Sequence, residues 1–174
     1  SGEDSENAEE SLAYEIIKKV HGSVPDYPYL DEAISEEERK LRFRLAPEQR
    51  EAVKMGLTSK FCVITGGPGT GKTSVQRALL DLYRMKYPAA KIACCAPTGK
   101  AARRMEQSTG VPSTTVHRAL GLIANEDGHY GDPETLEADL VLVDEVSMLD
   151  VYLAEKLLRS VPATARLILV GDSD

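Results

Sequence analysis

The 174-residue sequence has no tryptophan, two phenylalanines, seven tyrosines and three cysteines. With aromatics at 5%, composition locates no platform on which bases could stack. Cys62, Cys94 and Cys95 fall within apolar runs and have no spacing suited to zinc, so buried, reduced thiols are expected. No apolar run reaches the length of a membrane span. The start, S-G-E-D-S-E-N-A-E-E, is acidic where a secretory leader would be basic and then apolar. The expectation is a soluble, cytoplasmic protein with no membrane partner, and the length suits one well-buried domain.

The formal net charge of −7 is unevenly spread. Residues 1–40 hold 12 acids against 4 bases, and residues 41–174 hold 16 against 17. The body is therefore close to neutral, and a local basic groove within it would suffice for a nucleic-acid partner. Residues 1–11 read as a polar lead. Residues 12–20 carry Leu12, Ile16, Ile17 and Val20 at helical spacing, which predicts a short amphipathic helix. Residues 22–28 contain two prolines and read as a turn or linker, followed by a charged stretch with helical character around residue 35. The division expected is an acidic N-terminal segment over 1–40 and a compact domain over 41–174.

The most informative stretch is residues 61–73, F-C-V-I-T-G-G-P-G-T-G-K-T. A short β-branched apolar run reads as a buried strand, breaks into a glycine-rich turn and continues as a helix. Gly66, Gly71, Lys72 and Thr73 match G-x-x-x-x-G-K-[ST], the phosphate-binding loop of nucleoside-triphosphate enzymes, in the strand-then-helix context it requires. A triphosphate concentrates negative charge, so the loop must bring many donors close with no side chains in the way. Glycines allow that approach, and backbone N–H groups at the helix N-terminus then face the phosphates. Lys72 can reach the β and γ phosphates, and the Thr73 hydroxyl can ligate Mg²⁺. ATP and Mg²⁺ are the cofactors expected. The nucleotide-contacting set is Gln49 with Gly66, Gly67, Pro68, Gly69, Thr70, Gly71, Lys72, Thr73 and Ser74.

Around this loop strands and helices alternate, implying right-handed crossovers and an α/β fold with a parallel sheet covered on both faces. Residues 46–57 read as a helix with Pro47 in its first turn. Gln49, near its start, offers a donor and an acceptor and could pair with the Hoogsteen edge of adenine; it could equally be solvated on a helix face. A helix is expected over 73–87, a strand over 91–96, and a further helix opening at Thr98 and Gly99 after Pro97. Lys100, Arg103 and Arg104 share one face of that helix, a candidate surface for a nucleic-acid backbone or a merely solvated basic face. Residues 113–123 read as a short Ser/Thr-capped helix in which His117 is either a ligand contact or structural. Residues 125–133 form a loop, 139–143 and 166–170 are strands, and 150–161 is an amphipathic helix.

Leu140-V-L-V-D-E-V-S-M puts two carboxylates at the carboxyl end of a strand, where ligands bind in open α/β sheets. Asp144 suits a magnesium shell. Glu145 could polarise the water that attacks a γ-phosphate, which would make the protein a hydrolase. The alternative is that both acids cap the next helix. Lys72, Asp144 and Glu145 are thus the catalytic candidates, with Thr73 and Asp144 as metal ligands.

The ordered set L-A-P-E-Q-R-E-A-V, I-T-G-G-P-G-T-G-K-T, A-P-T-G-K-A-A-R-R-M, T-V-H-R-A-L, V-D-E-V-S-M and V-G-D-S-D resembles the first motor domain of a superfamily 1 helicase. Within that superfamily it resembles the RecD type: the exodeoxyribonuclease V alpha subunit, its stand-alone relatives and the helicase part of conjugative relaxases. The resemblance covers about residues 41–174. It implies a RecA-like P-loop NTPase domain, incomplete at its C-terminus, in an ATP-dependent DNA helicase of recombination and repair that moves 5′ to 3′ on single-stranded DNA. It assigns adenine reading to Gln49 and strand contacts to Pro97, Thr98, Gly99, Lys100, Arg103, Thr115 and His117. Ser147 falls within the acid motif. Gly171 and Asp172 begin a motif coupling nucleotide to DNA, whose γ-phosphate-sensing glutamine would follow Asp174. The partners implied are single-stranded DNA, a second motor domain of the same parent chain with its arginine fingers, and other subunits of a nuclease–helicase complex. The isolated 174 residues are expected to bind nucleotide with little or no turnover. Another P-loop ATPase acting on a different polymer, or a relaxase module, is the alternative.

Overall fold

Strands form where small and β-branched apolar residues run uninterrupted: β1 (Phe61–Thr65), β2 (Ile92–Ala96), β4 (Leu140–Val143) and β5 (Arg166–Gly171). The computed structural model describes residues 22–65, 71–122 and 131–171, so the amphipathic helix expected at 12–20 and most of the loop at 125–133 lie outside them. A fifth strand, β3 (Ser113–Thr115), joins the four in one parallel sheet of order β1-β5-β4-β2-β3. β3 corrects the expected helix start at residue 113. Ser113, Thr114 and Thr115 pair with Cys94, Cys95 and Ala96, and only then does the short helix α5 (Val116–Ala119) begin, with the Thr115 hydroxyl accepting the Arg118 N–H at its N-terminus.

The period-2 alternation of the strands sends their side chains into two cores. On one face Cys62, Ile64, Leu140, Leu142 and Ile168 pack beneath α1 (Leu30–Leu41), α2 (Pro47–Thr58), α3 (Lys72–Lys86) and α4 (Gly99–Thr109). On the other, Cys95, Val141, Val143 and Leu167 pack beneath α5 and α6 (Val151–Ser160). All three cysteines are free and buried. Burial pushes Cys94 and Cys95 up to about 12 and Cys62 to about 11, which suppresses thiolate chemistry at each.

The compact body begins earlier than the expected boundary at residue 41. Ile34 of α1 is fully buried in the first core, and Arg50 of α2 donates to Glu38 of α1 at 3.0 Å. Most charges of the stretch expected to be helical around residue 35 lie on the outward side of α1, while Ile34 and Glu37 are buried. Among the described residues, no helix is long and apolar enough to cross a membrane.

Candidate functional site

A parallel sheet aligns the carboxyl ends of its strands, and here those ends collect the chemistry-bearing residues in one row. The turn into Lys72 follows β1, Gly171 closes β5, Asp144 follows β4, Pro97 and Thr98 follow β2, and Thr115 ends β3. Of the glycine-rich loop, Gly71, Lys72, Thr73 and Ser74 are described, while Gly66, Gly67, Pro68, Gly69 and Thr70 lie outside the described residues, as does Asp172.

Gly71 stands immediately before α3 with φ of +79°. A side chain there would be strained, and a Cβ would also collide with Gln49 Nε2. Glycine at this position therefore serves both the turn and the close approach of α2. Gln49 is held by its Oε1, which accepts the Ala46 N–H at 2.7 Å and so satisfies one orphan donor at the start of α2. A cavity of about 490 Å³ opens here, lined by Ala46, Glu48, Gln49, Ala52, Ile64, Thr65, Lys72 and Val75. Sequence reading singled out only Gln49 and Lys72 among these. Ala52 and Val75 carry no chemical signal, and only their helical faces could have placed them.

Lys72 Nζ approaches Asp144 Oδ1 to 4.0 Å, with both side chains largely buried. The two residues are seventy-two positions apart and stand at the ends of strands separated by β5. Asp144 is anchored on the other side by its own N–H, which donates to the Cys95 carbonyl at 3.0 Å. Its Oδ1 accepts the Glu145 N–H at 2.8 Å.

Glu145 has φ of 53° and ψ of 42°, a left-handed conformation that a non-glycine residue adopts at a cost of about 1–3 kcal/mol. It precedes a 3-10 turn at Val146–Met148 and makes no side-chain cap there. The cap of α6 is Asp150, whose carboxylate accepts the Leu153 N–H at 2.8 Å. Capping of α6, the alternative open for this acid pair, is thus performed five residues beyond Glu145. A Cβ on Gly171 would stand 3.1 Å from Val146 Cγ2, so the end of β5 packs tightly on the turn that carries the acids.

At the β2 side, Ala96 and Thr115 are register partners. Pro97, Thr98 and Gly99 therefore leave the sheet beside the α5 turn that carries His117. The Thr98 hydroxyl accepts the Ala101 N–H at 3.1 Å and caps α4. Lys100, Arg103 and Arg104 are exposed on that helix.

A parallel sheet covered on both faces, with a phosphate-loop lysine meeting a strand-end aspartate, defines a P-loop nucleotide-binding domain. A family model described as an AAA domain matches residues 49–174, and the chain belongs to that family. Its sequence is RecD-like. It is 41% identical over 136 residues to the ATP-dependent RecD2 DNA helicase of Deinococcus radiodurans, covering 78% of this chain and 19% of the relative. To the RecBCD enzyme subunit RecD of Mycolicibacterium smegmatis it is 37% identical over 150 residues, covering 73% and 27%. The chain thus spans under a third of the length of these relatives. Among solved structures, the UvsW helicase from bacteriophage T4 superposes with a TM-score of 0.59 at 12% identity, covering 81% of this chain and 59% of that one. A Pif1 helicase structure gives 0.55 at 19% identity over 75% of this chain and 34% of that one. At these identities the structural likeness shows the RecA-like fold alone.

Proposed function

We propose that this chain is the nucleotide-binding part of an ATP-dependent DNA helicase motor that hydrolyses ATP to move along single-stranded DNA and separate duplex. The observation that carries the reading is the 4.0 Å approach of Lys72 to Asp144, which joins the cation of a phosphate loop to an acid of the carboxyl row. The donor set fits magnesium nucleotide. Mg²⁺ is ordinarily held by one or two protein oxygens, with phosphate oxygens and water in its other positions. Thr73 and Asp144 supply that number, and no cluster of three or more His, Cys, Asp or Glu able to hold a metal occurs among the described residues. The metal, when bound, would neutralise charge on the β and γ oxygens.

In this reading Gly66 to Ser74 bind the triphosphate and Gln49 meets the adenine at the cavity beside Lys72. Glu145 accepts a proton from the water that attacks the γ-phosphorus as the bond to ADP breaks. Pro97, Thr98, Gly99, Lys100, Arg103, Thr115 and His117 hold the DNA strand. The names of the relatives support the wider assignment: an ATP-dependent DNA helicase and a subunit of the RecBCD enzyme. From the RecD-type resemblance of the ordered motifs we further propose for the parent 5′ to 3′ movement, a role in recombination and repair, a second motor domain in the same chain and nuclease-complex partners.

Equilibrium titration of the chain with fluorescent ATP and Mg²⁺, run beside Lys72→Ala, tests the site. Saturable binding at least tenfold weaker in the variant is expected, and equal binding by the two proteins would overturn the assignment. For the motor, ATP turnover by the full-length parent should rise on adding single-stranded DNA; turnover indifferent to DNA would remove the nucleic-acid part of the reading.

A further inference from the structure

A cavity of about 600 Å³ opens at the other end of the sheet, where the strands begin. Lys60 immediately precedes β1, Asp139 precedes β4 and Arg166 opens β5. Tyr83 and Lys86 enter from α3, Tyr87 follows it, and Ser23, Val24 and Pro25 close one side. The wall therefore combines three cations and two tyrosine rings with a single carboxylate.

Arg166 is only 6% exposed. Its Nη1 donates to the Leu57 carbonyl at 3.0 Å and its Nη2 to the Tyr87 hydroxyl at 3.2 Å. The guanidinium carbon lies 5.3 and 5.4 Å from the Tyr83 and Tyr87 ring centres. These contacts fix the planar fork but leave its charge uncancelled. Among the described residues no carboxylate forms an ion pair with Arg166 or Lys60, and Asp139 spends an oxygen on the Lys91 N–H at 2.8 Å. Burial, and then the charge of Arg166, pull Lys60 below the usual lysine range. Lys86 stands over the Tyr27 and Tyr87 rings and donates to the Asp26 carbonyl.

Cations gathered without matching acids are unfavourable in a half-buried site, and an anion reverses the sign of that interaction. Lys60, Lys86 and Arg166 less Asp139 leave two positive charges, the complement of a phosphate dianion. Ammonium groups, the unused guanidinium N–H donors and the Ser23 and Thr164 hydroxyls supply charge-assisted bonds of the kind phosphate accepts. Proline and tyrosine surfaces beside them suit the organic part of a small molecule, and the volume lies within the range of small-ligand sites. We propose that this cavity is a second anion site, which binds the phosphoryl group of a small phosphate monoester at the end of the sheet opposite Lys72.

The test uses the 174-residue chain with ¹³C-labelled tyrosines and the Lys72→Ala substitution, so that a phosphate probe does not report on the loop after β1. Titration with ribose 5-phosphate, followed by NMR, should give saturable shifts of the Tyr83 and Tyr87 ring signals, and adding Lys60→Gln should weaken binding at least tenfold. In the otherwise unsubstituted chain, Lys60→Gln should leave ATP binding unchanged, so this proposal and the nucleotide assignment fail separately. Tyrosine signals that do not shift, shift equally in Lys60→Gln, or shift equally with sodium chloride at matched ionic strength would overturn it.

Discussion

At the residue scale, the site includes two backbone positions held in the left-handed region, Gly71 and Glu145. Gly71 is the sharpest case, because left-handed φ and contact with Gln49 Nε2 coincide there. Gly71→Ala must strain the turn and displace Gln49, so a loss of about 1–3 kcal/mol is expected, read from the denaturation midpoint, together with weaker ATP binding. A variant as stable as the parent would mean that the turn relaxes freely. The need for glycine was legible from the motif; the reason was only half legible. Positive φ follows from the loop pattern, whereas the neighbour that crowds Gly71 comes from another helix twenty-two residues earlier. Glu145 teaches the converse. Its carboxylate stood out in the sequence as a candidate for chemistry, but its left-handed backbone arises from the turn between β4 and α6 and has no signature in residue type.

At the element scale, α1 is docked on α3 through a buried acid. Glu37 is 2% exposed, and its Oε2 has no hydrogen-bond partner. Burial, then a hydrogen bond and charge repulsion from Asp81, push Glu37 up to about 7, with Lys40 and Arg77 partly opposing. The sign follows from linkage. Below about pH 4.5 the side chain is protonated whether the chain is folded or not. As pH rises towards 7 the unfolded chain releases its proton and the folded one keeps it, so stability declines across that window and levels off above it. Glu37→Gln removes the ionisation. It should match the parent near pH 4 and exceed its stability by about 1–3 kcal/mol near pH 8, measured by urea denaturation at both values. A stability difference independent of pH would refute this account. Helix α1 itself was partly legible as a charged helical stretch. Strand β3 was not, because Ser113-Thr114-Thr115 reads locally as a helix cap and becomes a strand only by pairing with β2.

At the scale of the whole molecule, the two faces of the sheet are closed by helices from distant parts of the chain, and α1 shares its core with β1, β4 and β5. Ile34→Ala is therefore expected to cost about 2–4 kcal/mol and to lower the midpoint of one cooperative transition. A separate early transition confined to α1 would show instead that it unfolds alone. Sequence by itself determined the four apolar strands and the alternation that covers both faces, and it singled out Lys72, Thr73, Asp144 and Glu145 as the candidates for the proposed chemistry. Those follow from local physics: hydrophobic period, turn conformation and the donors a phosphate requires. Only the tertiary structure decided that Lys72 and Asp144 meet at 4.0 Å, because that distance depends on β5 lying between β1 and β4. It alone gathered Lys60, Lys86 and Arg166 at the opposite end. Strand order is set by which buried faces fit together across the whole chain, and no short stretch of residues carries that information.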